Sequence, residues 1–185
     1  MASLVEIANA ALLRVGDKSI TSLTEDTERA RIINAAWPIV RSEVLRAHPW
    51  NVATARASLA ALATAPEWDY ATAYELPPDC EILLEVNTTA PWRREGKQIV
   101  TDATGSLGIR YIKGLTDTEQ YDGFLTELMV IRLTIEIVER VTTSGTSRER
   151  LIAEYERKMG QAQQADGAES SEAEFEEDLR KETAR

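Results

Sequence analysis

A proline pair, Pro77-Pro78, followed by Asp79, separates two stretches of this chain that differ in hydrophobic period. Proline has no backbone donor and fixes its own φ, so neither a helix nor a central strand runs through the pair. Upstream, apolar residues recur every three to four positions. Downstream, from Glu81, they alternate, with Ile82, Leu84 and Val86 on one face and Ile109 and Tyr111 farther along. The segment just ahead of the break, Trp68 to Cys80 (WDYATAYELPPDC), is rich in aromatics and carries no obvious reactive group. Both helices and short strands are therefore required.

Leu4, Ile7, Ala8, Ala11, Leu12 and Val15 lie at helical spacing, and Gly16 follows as a C-terminal stop. Ser3 with Glu6 three residues on has the form of a capping box. A second helix is predicted over 25–46, with Ile33, Trp37, Val40, Val44 and Leu45 as its buried stripe and a kink or break at Pro38. Asn51 to Thr64 admits either state: its alanines favour helix, its polar alternation allows a strand. Turn signals at Glu95-Gly96 and Asp102 to Gly105 divide the later region into strands near 81–87, 91–95, 97–101 and 107–113, an antiparallel meander.

A helix over 117–142 follows. Tyr121, Leu125, Leu128, Ile131, Ile135 and Val138 make one apolar stripe, and Met129, Val130, Leu133 and Ile137 make a second. A helix apolar over more than half its circumference must be buried on two sides. It is either a central core helix or one shared with a neighbouring subunit, which makes Met129, Val130, Leu133 and Ile137 the inter-subunit candidates. A further helix is predicted over 147–164. The expected fold class is α+β: mainly a helical bundle with a small antiparallel β-meander, a long C-terminal helix and an acidic tail. Residues 1–165 would form one domain and 166–185 a flexible acidic arm.

That arm holds eight acidic and three basic residues, half of the chain's net charge of −10. It cannot build a core, but Phe175 and Leu179 stand four apart, on one face of a helix if it folds onto a partner. A chain this acidic should not hold DNA by neutralising phosphates, although it can lie beside DNA without adhering. A lone cysteine, Cys80, rules out an internal disulfide. The N-terminus lacks the basic start of a signal peptide, and charges break the longest apolar run, so a soluble, intracellularly made chain is expected, with no membrane partner.

Chemistry has few candidates. His48, the one histidine, lies beside Pro49 at the end of the second helix, where it suits the helix dipole. A nucleophilic site would require Cys80 and His48 to meet, with a third group to orient them. Phosphate-binding glycine loops and EF-hand spacing are missing from the sequence, and no cofactor is expected. Trp37 reads as core, while Trp50 and Trp68 flank turns and read as packing. The pair Arg93-Arg94 lies on a strand near a hairpin turn, either a solvated edge or a contact for an acidic partner.

Four segments in order, ANAALLRVGDKSITSLTEDTERA, VRSEVLRAHPWNVATARASL, WDYATAYELPPDC and IRYIKGLTDTEQYDGFLTELM, resemble the head-to-tail connector (adaptor) proteins of tailed bacteriophages. The nearest group is that of tail tubular protein A, or tail accessory factor. Asn9, Leu12, Gly16, Ile20, Leu23, Leu45, Trp50, Ala53, Tyr74, Leu76, Pro77, Asp79, Cys80, Tyr111 and Phe124 carry the pattern, over about residues 4 to 142. Val52 departs from it, standing where the family usually has an aromatic. The resemblance implies strand over 51–64 and a non-enzymatic structural protein of the virion. It implies a ring, of twelve subunits in the family, beneath the portal protein and above a downstream tail or nozzle protein, with DNA passing through. Phe175 and Leu179 then become portal-docking candidates. Two other classes stay open: a cell-wall glycan hydrolase, which would show turnover, and an intracellular helical interaction module, which would form no ring.

Overall fold

The computed structural model describes residues 2–141 and 145–183. Among them are four α-helices and six strands in two three-stranded antiparallel sheets. The architecture is α+β, but it is not mainly a helical bundle. The chain divides into two compact units, Met1–Val52 with Thr116–Arg185, and Ala53–Leu115.

The first unit is helical. Helix α1 (Leu4–Arg14) opens on the expected capping box: Glu6 N donates to Ser3 Oγ at 3.2 Å and Ser3 N donates to Glu6 Oε2 at 2.6 Å. It closes in a Schellman motif, with Asp17 N donating to Leu12 O and Gly16 N to Leu13 O. Gly16 has φ of 78°, a conformation that costs glycine little and other residues more. Helix α2 (Glu28–Arg46) starts at the Thr27 cap and carries Pro38 without ending there. Helix α3 (Gly123–Val141) begins later than 117, because Asp117 instead caps a 3-10 turn at Thr118–Gln120. Asp122 then accepts from Leu125 N at 2.7 Å and starts α3.

Helix α3 packs against α1, α2 and α4 (Gly145–Thr183). Both of its apolar stripes are thereby covered within one chain. Thr134, fully buried among them, donates its hydroxyl to Val130 O at 2.7 Å, so no polar atom is stranded there. Helix α4 runs well past the predicted 164: the backbone over 165–183, expected as a flexible arm, is helical. Alanine, glutamate, glutamine and lysine are good helix formers and need no apolar stripe to favour that state.

The second unit is built of strands. β1 (Thr54–Leu59), β6 (Leu107–Lys113) and β3 (Cys80–Asn87) form one sheet in the order β1-β6-β3. β2 (Thr72–Glu75), β5 (Gln98–Thr101) and β4 (Trp92–Glu95) form the other, in the order β2-β5-β4. The expected single meander is thus replaced by two sheets. β4 starts at Trp92, just after Pro91, and the β4–β5 hairpin joins β2 instead of β3. Leu59, Val86, Leu107, Ile109 and Tyr111 from the first sheet share one core with Tyr74 and Ile99 from the second. Alternation places these inward and leaves the intervening positions outward.

Candidate functional site

Five of the residues that carry the resemblance, Asn9, Trp50, Tyr74, Asp79 and Tyr111, close structural locks. The Asn9 side chain receives Ile20 N at 2.8 Å and donates to Ile20 O at 2.9 Å, which pins the turn after α1 to its parent helix. Trp50 is 1% exposed and donates its indole N–H to Val44 O at 2.9 Å, satisfying a carbonyl near the end of α2. In the strand unit, the Tyr74 hydroxyl reaches Gly105 O at 2.9 Å and Ala103 O at 3.1 Å, fixing the loop that leads into β6. Tyr111 Oη contacts Asp79 Oδ1 at 3.4 Å, and Gly114 N donates to Asp79 O, so the Pro-Pro-Asp turn is held to the end of β6. Burial and the Asp79 charge push the Tyr111 phenol above its ordinary value. Leu12, Ile20, Leu45, Ala53 and Leu76 are buried. Phe124 differs: it opens α3 yet remains 43% exposed.

The inter-subunit candidates do not lie on a surface. Met129 and Leu133 are 0% exposed, Ile137 1% and Val130 8%. The three helices packed around α3 supply the second covering layer, so a neighbouring chain has nothing to cover there. The side chains of Phe175 and Leu179 lie outside the described residues.

His48 does not act simply as a helix-end charge. α2 ends at Arg46 with Ala47 as its cap, and the imidazole packs edge-on against Trp50 with ring centroids 4.7 Å apart. Its Nε2 lies 2.9 Å from Asp166 Oδ2 on α4. Asp166 also accepts from Asn51 N at 3.0 Å, while Asn51 Nδ2 donates to Asp166 O at 2.7 Å. This cluster, with the ion pairs Arg14–Glu154 and Lys158–Glu127, fastens α4 to the other helices. Cys80 belongs to the other unit, half-buried at the start of β3 and packed against the strand core. No group of three or more His, Cys, Asp or Glu among the described residues is placed to hold a metal ion. No described helix is long and apolar enough to cross a membrane.

Trp68, read as packing, is 74% exposed. It stands on a loop that begins beside β2, where Leu62 N donates to Ala73 O at 2.8 Å, and ends where Ala71 N donates to Asp102 Oδ1 at 3.1 Å. Between these anchors Tyr70 N donates to Trp68 O at 2.9 Å across Asp69, whose φ is 69°. That is a γ-turn centred on a non-glycine residue, a strained geometry. The loop and the outward face of β2-β5-β4 flank an open cavity of about 400 Å³. The register sets Arg93 opposite Val100 and Glu95 opposite Gln98 on that face. Sequence reading had no means of finding this cavity, since the loop returns over a strand, β2, that it did not assign.

No protein-family model matches the chain, and no curated protein matches it.

Proposed function

We propose that this chain is a structural subunit of the head-to-tail connector of a tailed bacteriophage. Copies of it form a ring, of twelve subunits as the resemblance implies, that binds the portal protein on one side and a downstream tail or nozzle protein on the other. Its place is the virion's head–tail junction, and its work is mechanical: to join the parts and leave a channel for DNA.

The observation that carries this reading is the role of the residues bearing the resemblance. Asn9, Trp50, Tyr74, Asp79 and Tyr111 are scattered over a hundred positions, and each closes a specific hydrogen bond that holds a turn or a helix end. A signature made of such locks and of buried core residues such as Leu12, Leu45 and Leu76 specifies a scaffold, and a scaffold is what a ring subunit must supply. Phe124 carries the same pattern but is spent on no core, which makes it the inter-subunit candidate in place of the buried stripe of α3. The chain's net charge of −10 suits a wall past which DNA slides, because a basic lining would retain phosphates.

Negative-stain electron microscopy and native mass spectrometry of the purified chain, alone and with the portal protein of the same genome, test this. The expected result is a closed ring, or a ring that forms on the portal. A monomer at every concentration that ignores the portal would sink the reading.

A further inference from the structure

We propose that the cavity beneath Trp68 is a carbohydrate site that takes one or two neutral hexopyranose rings. The proposal stands on the cavity's own chemistry and is independent of the connector reading. A pyranose ring presents a flat C–H face and a rim of hydroxyls that both donate and accept. It therefore calls for an exposed aromatic plane together with polar groups of both kinds.

The cavity offers that combination. The Trp68 indole is 74% exposed at its mouth, held on the strained turn at Asp69. Val100 and Ala73 form an apolar floor, both buried. Glu67, Asp69 and Glu95 supply acceptors, Arg93 supplies donors only, and Gln98 supplies both. Among the described residues none of these five side chains forms a hydrogen bond or ion pair with another, so all remain free to meet hydroxyls. The volume of about 400 Å³ falls at the small end of the ~300–1,000 Å³ range of ligand pockets, which suits a short saccharide.

The charge balance argues against anionic ligands, since three carboxylates repel phosphates and acidic peptides. A lysine or arginine side chain needs acceptors only, whereas the donors of Arg93 and Gln98 beside those carboxylates and the exposed indole plane match a neutral polyol. Because the cavity is open and sugar hydroxyls merely exchange water for protein partners, single-site affinity should be weak, around the millimolar range. Several copies in one assembly would raise it through effective concentration.

The full-length chain is titrated with chitotriose, maltotriose and cellotriose, using saturation-transfer NMR and calorimetry. At least one should bind, with little change between low and high salt. Trp68→Ala should weaken it by about tenfold or more, roughly 1.4 kcal/mol per factor of ten. Trp92→Ala, on the other face of β4, should leave binding unchanged, and circular dichroism should confirm that both variants fold. The proposal is overturned if none of the three sugars binds, or if Trp68→Ala binds as well as the wild type. It is also overturned if an oligolysine peptide, and no sugar, binds through Trp68 and is released by salt, which would make the cavity a protein-docking surface.

Discussion

His48 and Asp166 are 118 positions apart in the chain, yet the imidazole Nε2 and the carboxylate Oδ2 lie 2.9 Å from one another. The carboxylate is 8% exposed as a residue and also receives the Asn51 backbone N–H, so it closes the end of α2 onto α4. Asp166→Ala removes the acceptor from both donors. The expected loss is about 1–3 kcal/mol in urea denaturation, the cost of leaving partly buried polar groups unsatisfied. Asp166→Asn keeps one acceptor and should lose less. Amide exchange should rise first in α4 around Asp166, since that is where the tie is cut. Unchanged stability in Asp166→Ala would mean that the cluster is a solvated contact without structural weight.

Asn9 makes a comparable prediction at the other end of the unit. Its side chain replaces a strand partner for Ile20, receiving the N–H and donating to the carbonyl. Asn9→Ala therefore leaves both backbone groups of a buried residue without their partner. A destabilisation of about 1–3 kcal/mol is expected, seen as a lower denaturation midpoint at unchanged slope. Asn9→Asp keeps the acceptor alone and should fall between.

Local rules and long-range pairing were unequally legible in these residues. The capping box at Ser3 and Glu6, the stop at Gly16 and strands β3 to β6 follow from spacing within a few residues, and the structure has them all. β2 escaped because four residues ahead of a proline pair are too few to display a period. Which strand pairs with which depends on closing loops between distant segments, and alternation is silent on that. Trp68 was misread for a related reason: tryptophan favours burial on average, and only the course of the 62–71 loop shows that this one is left outside. Past 164 the chain lacks an apolar stripe but its composition suits helix on propensity alone, so periodicity and propensity disagree there.

Burial pushes the Tyr121 phenol up to about 12, from an ordinary 10.0; nearby Arg41 opposes the rise and Asp117 adds to it. The folded chain therefore keeps this proton over a range where the unfolded chain has released it. Stability from this group is intact below about pH 10 and declines as the pH climbs through about 12. Ultraviolet titration should show Tyr111, Tyr121 and Tyr155 ionising above the ordinary value, and Tyr121→Phe should remove the step near 12. The same substitution should flatten the alkaline fall in the unfolding midpoint. A Tyr121 that ionises at the ordinary value would show that water reaches the hydroxyl.

Folding and assembly can be separated with two residues of α3. Leu133 is 0% exposed, so Leu133→Ala should cost about 2–5 kcal/mol through lost transfer energy and the cavity left behind. Leu133→Asp would bury a charge without a partner and should prevent folding, whatever the oligomeric state. Phe124 is 43% exposed at the first turn of the same helix, so Phe124→Asp places a carboxylate in solvent near a helix N-terminus, where the dipole tolerates it. Its thermal midpoint should stay within a few degrees of wild type, since surface changes usually cost no more than about 0.5 kcal/mol. If copies of the chain meet at Phe124, the same variant should fail to form rings by native mass spectrometry. Phe124→Leu should restore them, because it returns apolar area without the charge. Rings that form as well in Phe124→Asp as in wild type would remove Phe124 from the interface, and the contact between subunits would then have to be sought on the strand unit.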